Sequence, residues 1–153
     1  MSKKTQGDQM RVIAELLESD LGYIYGEREI GPNGDKKAFL NKARAFLTAL
    51  GKDLGFCEQK VSVNKGGIAA SGEVTLRGSW PDGSGIVLTL GQFPSFMEKA
   101  AVYRPIADGA EQKNAVNQWI SIGLFKRGDY FALLAELSAL YQNRGGRLYG
   151  NAA

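Results

Sequence analysis

The spacing of apolar residues changes twice along this chain of 153 residues, and these changes limit the folds open to it. The N-terminal part places apolar side chains three and four positions apart, which is the period of an amphipathic helix. The middle alternates apolar and polar residues, as a strand with one buried face does. The C-terminal part returns to helical spacing. Helices on both sides of a block of strands indicate an α+β domain.

Two helices are predicted ahead of the strands. The first runs from Asp8, as its N-cap, to about Asp20, and the second runs from Asp35 until Gly55 ends it. Residues 21–26 fit either a short strand or an ordered loop, and their period does not decide between the two. The apolar stripes of the two helices are Met10, Ile13, Leu16, Leu17 and Leu21, and then Phe39, Leu40, Ala43, Phe46, Leu47, Leu50 and Leu54.

Strands are predicted around 61–63, over 68–80, over 86–90 and over 100–106, with a hairpin connection at 81–85. We expect an antiparallel meander of three or four strands with the helices packed on one face, in the order α-α-β-β-β-(β)-α-α. Trp80 has the same parity as Leu76, which predicts a core position for its ring. Pro105 predicts an edge strand or the end of a strand, because proline donates no hydrogen bond to a ladder.

A short helix over Ala115, Val116, Trp119 and Ile120 is predicted after the strands, with Gly123 as its end. Asp129 is the predicted N-cap of the last helix. We expect a single domain over residues 1–142 and a flexible polar tail over 143–153. The apolar stripe of the last helix is Tyr130, Leu133, Leu134, Leu137, Leu140 and Tyr141.

The chain has no histidine and one cysteine, Cys57, which excludes several kinds of chemistry. It holds no Ser-His-Asp triad, no histidine-bearing zinc site and no intrachain disulfide. Its glycines do not have the spacing of a Walker loop or a dinucleotide-binding turn. We therefore expect no catalytic residue, no metal and no cofactor, and a buried, inert thiol at Cys57. An enzyme built on Cys57 and on carboxylates such as Glu27 and Glu29 stays a remote alternative.

Nineteen basic and sixteen acidic residues give a mild net charge of +3. The N-terminus is polar, and no window approaches the ~20 apolar residues of a membrane span, so we expect a small, complete, cytoplasmic protein. Clustered cations leave single-stranded nucleic-acid binding as an alternative function. The residues predicted for that alternative are Lys36, Lys37, Lys42, Arg44, Arg104, Lys126 and Arg127.

Aromatic residues in predicted loops and strands favour a non-enzymatic module that docks on a protein partner, since aromatic and arginine side chains anchor many interfaces. Rings and a guanidinium on a sheet also suit the stacking of unpaired bases. The residues predicted to contact the partner are Tyr23, Tyr25, Phe93, Phe96, Tyr103 and Arg104. Phe93 and Phe96 fit either an exposed contact patch or a lid over the core.

The segments Gly72–Gly78, Gly83–Leu90, Val102–Ile106, Asn117–Trp119 and Gly128–Leu134 resemble small accessory domains carried by phages, plasmids and other mobile elements. The resemblance covers about half of the chain and includes no catalytic residue. It implies a mobile-element protein that acts by binding. Small proteins of that origin are often inhibitors of host defence, anti-CRISPR proteins among them, so the implied target is a host defence or nucleic-acid-processing complex.

Overall fold

A computed structural model describes residues 5–18, 35–64, 72–93, 98–107, 110–111 and 116–145. Within these residues the chain forms four helices and six strands. The helices are α1 (Thr5–Leu17), α2 (Asp35–Asp53), α3 (Ile122–Arg127) and α4 (Tyr130–Gly145). The strands are β1 (Glu58–Asn64), β2 (Glu73–Ser79), β3 (Ser84–Gly91), β4 (Lys99–Ala107), β5 (Ala110–Glu111) and β6 (Gln118–Ser121).

The sheet is an antiparallel meander in which β1, β2, β3 and β4 pair in chain order. Asp82 holds the predicted hairpin turn between β2 and β3. Its Oδ1 accepts hydrogen bonds from the Ser84 backbone N–H at 2.9 Å and from the Ser84 hydroxyl at 2.6 Å. The predicted α+β class and the meander are confirmed. β5 and β6 both pair with β4 and extend the sheet beyond the four strands expected.

Pro105 lies inside β4 rather than at its end, paired with Ile86 of β3. On the other edge of β4, β6 pairs with the stretch from Lys99 to Tyr103, and β5 pairs with Ile106 and Ala107. Pro105 therefore falls between the two short strands, where no described strand pairs with it on that edge. A residue without an N–H is tolerated there because the ladder is interrupted.

The helices cover one face of the sheet, which we call the inner face. The apolar stripe of α2 is buried against it, and fully burying a leucine or phenylalanine side chain contributes about 1.5–3 kcal/mol. The other three helices contribute to the same buried cluster, as the predicted layering requires. The inner-face and α2 residues of this cluster include Val74, Leu76, Ile86, Leu88, Leu90, Phe39, Phe46, Leu47 and Leu50.

Trp80 is a core residue, as its parity predicts, and is 2% exposed. Its ring stacks on Tyr141 with centroids 4.8 Å apart and an interplanar angle of 15°, and lies 4.9 Å from the ring of Phe56. Its indole N–H donates a hydrogen bond of 2.8 Å to the Leu54 carbonyl. Trp80 thus connects the β2–β3 turn to the end of α2 and to α4.

The predicted helix over residues 115–120 is wrong. Residues 118–121 form β6, which pairs Trp119 with Val102 and Ile120 with Ala101. The helix begins only after Ser121, whose side chain caps α3 by accepting a hydrogen bond from the Leu124 N–H. Gly123 lies inside α3, and Gly128, at φ 64°, ends it. A run of four residues fits either the helical or the strand period, and pairing with β4 makes residues 118–121 a strand.

Two predicted helix boundaries also change. α1 begins at Thr5, so Asp8 lies in its first turn rather than at its N-cap. There Asp8 forms a salt bridge of 2.7 Å with Arg11, an i,i+3 pair. α4 continues to Gly145, into the predicted tail.

Residues 21–26 and 146–153 lie outside the described part of the chain. Of the helices that the structure describes, none is long and apolar enough to cross a membrane.

Gly85→Ala is expected to destabilise the fold by about 1–3 kcal/mol, the usual cost of overpacking. A Cβ at Gly85 would collide with the backbone carbonyl of Gly78 on β2, and paired strands leave that carbonyl little room to move. Urea denaturation measures the change.

Gly123→Ala is the matched control. A Cβ at Gly123 meets nothing nearer than the Ser121 Oγ at 3.5 Å, and alanine is favoured over glycine in a helix by about 1 kcal/mol. Gly123→Ala should therefore leave stability unchanged or raise it. Equal stability of Gly85→Ala and the parent protein would show that the close approach of β2 and β3 is not as described.

Candidate binding surfaces

The residues predicted to contact a partner fall in three settings. Tyr23, Tyr25 and Phe96 lie outside the described residues. Tyr103 lies in the core. Phe93 and Arg104 are partly exposed and belong to the face of the sheet that points away from the helices, which we call the outer face.

Tyr103 connects β4 to α4. It is 5% exposed, and its hydroxyl donates a hydrogen bond of 2.7 Å to Glu136 Oε2. Burial raises the pKa of the Tyr103 hydroxyl far above its ordinary value, and the hydrogen bond to Glu136 and its charge raise that pKa further. The hydroxyl therefore stays protonated and serves as a donor. This placement gives Tyr103 a structural role, and its contact with a partner stays a prediction.

The strand register sets a row of cations across the outer face. Lys60 pairs with Arg77, Arg77 with Val87, and Val87 with Arg104. We call Lys60, Arg77, Val87 and Arg104 the cationic row. Lys60 is exposed, and the other three side chains are partly exposed. The Arg104 Nε donates a hydrogen bond of 2.6 Å to Asn117 Oδ1, which fixes the direction of its guanidinium.

A second row runs beside the first and ends in an aromatic pair. It pairs Thr75 with Thr89, Thr89 with Val102 and Val102 with Trp119. The Trp119 ring meets the ring of Phe93 edge to face, with centroids 5.3 Å apart at 84°. The outer face thus joins cations, hydroxyls and two rings. Sequence reasoning missed Trp119 here, because it placed that residue on a helix.

The residues predicted for nucleic-acid binding do not form one surface. Lys37, Lys42 and Arg44 are exposed on α2, which packs on the inner face, whereas Arg104 lies on the outer face. Lys126 forms a salt bridge of 2.7 Å with Glu18. Arg127 is exposed at the end of α3. The side chain of Lys36 lies outside the described part of the structure.

A cleft of about 660 Å³ lies on the helical side of the molecule, between α1, the end of α2 and the start of α4. We call it the α1–α4 cleft. Its charged lining residues are Asp8, Arg11, Asp53 and Asp129, three carboxylates against one guanidinium. Nothing in the sequence pattern marked it, since its walls come from α1, α2 and the start of α4, which lie far apart in the chain.

Close backbone approach forms one wall of the cleft. A Cβ at Gly7 of α1 would lie 2.9 Å from the carbonyl oxygen of Gly128, at the α3–α4 junction. Gly128 also needs a left-handed conformation, at φ 64°, which glycine adopts at little cost. These two glycines let α1 and the start of α4 approach each other closely.

Tyr130 forms the floor of the cleft. Its hydroxyl donates a hydrogen bond of 2.6 Å to Asp53 Oδ2, and its ring meets Phe46 edge-on at 6.0 Å. Burial raises the pKa of the Tyr130 hydroxyl well above its ordinary value, and the hydrogen bond to Asp53 adds to that rise. Tyr130 therefore acts as a hydrogen-bond donor and not as a base.

Phe131 stands on the rim of the cleft and is 83% exposed. It occupies the second position of α4, off the apolar stripe of that helix. Asp129 holds this turn in place, because its Oδ1 accepts a hydrogen bond of 3.1 Å from the Ala132 N–H. That contact confirms Asp129 as the predicted N-cap. A phenylalanine off the stripe is the sequence signal that could have marked this position.

Cys57 is exposed, and the expectation of a buried thiol is wrong. Its Sγ lies 3.4 Å from the Ser79 carbonyl oxygen, to which it donates a weak hydrogen bond at the start of β1. Within the described ranges, no three Asp, Glu, His or Cys residues are grouped so as to hold a metal ion.

No protein-family model, curated protein or solved structure matches this chain.

Tyr103→Phe should lower stability at neutral pH by about 1 kcal/mol, because it removes the hydrogen bond to Glu136. The raised pKa of Tyr103 in the folded protein means that its contribution is complete below the ordinary tyrosine pKa of about 10 and is lost at higher pH. The parent protein should therefore lose stability above pH ~10 more steeply than the variant. Urea denaturation at neutral and alkaline pH measures both slopes, and equal slopes would contradict this role for Tyr103.

Proposed function

We propose that this chain is a non-enzymatic binding module that docks on a protein partner through the α1–α4 cleft and Phe131. The observation that carries the proposal is the 83% exposure of the Phe131 ring on the rim of that cleft. A large apolar side chain on a rigid helix start loses little conformational freedom on binding, and burying it contributes about 1.5–3 kcal/mol. Aromatic anchors of this kind dominate the energy of many interfaces.

The charge of the cleft supports a partner segment that carries a basic side chain beside an apolar one. Asp53 and Asp129 are both exposed and both line the cleft; Asp53 contacts the Tyr130 hydroxyl, and Asp129 precedes Tyr130 in the chain. Asp8 is already paired with Arg11. An incoming lysine or arginine would pair with Asp53 or Asp129 while its apolar neighbour packs on Phe131. Opposite charges at the rim of an interface speed association and select the partner.

The wider setting of the proposal comes from the resemblance to accessory domains of mobile elements. On that basis we place the protein in the cytoplasm and its partner in a host defence or nucleic-acid-processing complex. The contacts of the cleft support binding of a partner segment.

Phe131→Ala should abolish capture of the partner from host lysate by the tagged, nuclease-treated protein, because it removes the apolar anchor. Stability should change by no more than about 0.5 kcal/mol, since the ring is exposed. Val116→Ala is the matched control, because Val116 is 65% exposed and lies outside the cleft lining. Capture of the same protein bands by Phe131→Ala and by the parent protein would contradict the proposal.

The double variant Asp53→Asn, Asp129→Asn tests the charge of the cleft separately. Asparagine keeps an acceptor for the Tyr130 hydroxyl and keeps an N-cap for α4, so the fold should be retained. Association with the partner identified by capture should slow about tenfold or more at low salt and converge on the parent rate at high salt. An unchanged rate at every salt concentration would exclude a basic partner segment.

A further inference from the structure

We infer that the outer face of the sheet binds single-stranded nucleic acid along the cationic row, with Trp119 as a base-stacking platform. This function is separate from the proposed docking through the α1–α4 cleft and does not depend on it. The two surfaces lie on opposite sides of the sheet, since the cleft belongs to the helical layer.

The first step of the inference is charge. Neighbouring strands lie ~4.8 Å apart, so Lys60 and Arg77 are in direct lateral contact range, and Arg77 and Arg104 are separated by the one intervening strand of Val87. Three cationic side chains thus follow one line across β1, β2 and β4, which is the arrangement that a polyanion laid across these strands requires.

The distribution of carboxylates on this face agrees with a polyanionic ligand. The two rows at the centre of the outer face hold three cations and no acidic residue. The acidic residues nearest in the ladder, Glu58 and Glu73, belong to the flanking pairs at the ends of β1 and β2. The centre of the face therefore carries cations on β1, β2 and β4, and Glu58 and Glu73 lie at its margins.

The second step is the aromatic pair. Trp119 is partly exposed, pairs with Val102 in the second row, and its ring lies nearly perpendicular to that of Phe93. Partly exposed aromatic rings beside a cationic track are the groups on which unpaired bases of any sequence stack. The Thr75 and Thr89 hydroxyls, 2.9 Å apart, lie in the second row beside Arg77 and Val87 and supply polar groups for phosphate or sugar oxygens.

These features favour single strands over a duplex. A broad sheet of this kind does not enter the major groove of B-DNA, which admits a helix or a two-stranded ribbon. A duplex also presents no unstacked base to Trp119. Single-stranded binders combine a cationic track with stacking rings, which is the combination that the outer face provides.

The test measures fluorescence anisotropy of a labelled oligonucleotide of about 16 nucleotides, as single-stranded RNA, as single-stranded DNA and as a duplex, with the full chain. Three contacted phosphates predict a slope of about −2 for the logarithm of affinity against the logarithm of salt concentration. Affinity for a single strand should then fall roughly 20-fold between 50 and 200 mM salt. Tighter binding of RNA or of DNA identifies the natural ligand.

The triple variant Lys60→Gln, Arg77→Gln, Arg104→Gln should abolish the salt dependence and most of the affinity. The matched control is Lys37→Gln, Lys42→Gln, Arg44→Gln, which removes the same charge from exposed positions on α2. The control should bind the single-stranded oligonucleotide with an affinity within about twofold of that of the parent protein, because α2 lies on the other side of the sheet. Phe131→Ala should bind the oligonucleotide as the parent does, so failure of the docking proposal and failure of this inference are distinguishable.

Tryptophan fluorescence supplies a second readout. The chain has two tryptophans, and Trp80 is 2% exposed, so a change in emission that the parent protein shows and the Trp119→Phe variant does not show reports on Trp119. Stacking on a base should quench that emission at the concentration where anisotropy rises.

Four results with oligonucleotides would each overturn the inference: no binding of single strands at 50 mM salt, equal losses in the two triple variants, equal affinity for the duplex, and binding without any change in Trp119 emission. Competition by polyglutamate as effective as that by the unlabelled oligonucleotide would also overturn it, and would assign the row to an acidic protein segment instead.

Discussion

Phe39, Phe46 and Leu50 of α2 are buried in the same cluster as Val74 and Leu88 of the sheet, and this packing determines which residues form the two candidate surfaces. Because side chains alternate along a strand, committing one face of β2, β3 and β4 to this core turns every intervening residue outward. A shift of one residue in register would bury Arg77 and Arg104 and expose Leu76 and Tyr103. The cationic row is thus a direct consequence of core formation.

The helical layer forms its own surface by a different constraint. Gly7 and Gly128 allow α1 and the α3–α4 junction to approach each other, and the N-cap Asp129 then orients the first turn of α4. That orientation leaves Phe131 in solvent while Tyr130 faces the core. Two adjacent residues of α4 therefore have different environments: Tyr130 packs against the core, and Phe131 is exposed to solvent. The molecule has a cationic sheet on one side and an acidic, apolar-rimmed cleft on the other.

Periodicity predicted the elements that bury a long, regular stripe. α2, the meander, the core position of Trp80 and the N-cap at Asp129 follow from spacing and capping chemistry that act locally. Residues 118–121 could not be assigned in this way, because their short apolar run fits either period and its pairing with β4 is set by tertiary contacts. Because the sequence predicts a helix over residues 115–120, it does not place Trp119 on the sheet, where its ring contacts Phe93.

The candidate surfaces were predictable only in part for the same reason. Arg104 and Phe93 are predicted to contact a partner and are partly exposed, but the neighbours of Arg104 in the cationic row follow from strand register, which a single sequence does not fix. The α1–α4 cleft draws on three helices far apart in the chain, and no local pattern brings Asp8 near Asp53. The exposure of Cys57 likewise depends on how the end of α2 meets β1.

The claim that the two sides of the molecule bind different classes of ligand is tested most directly by site-specific photocrosslinking in host cells. A photoreactive phenylalanine analogue is placed at position 131 in one protein and at position 119 in another. Position 131 should give protein crosslinks that survive nuclease, and position 119 should give nucleic-acid crosslinks that survive protease. Protein crosslinks from both positions, or nucleic-acid crosslinks from position 131, would contradict this division of the molecule.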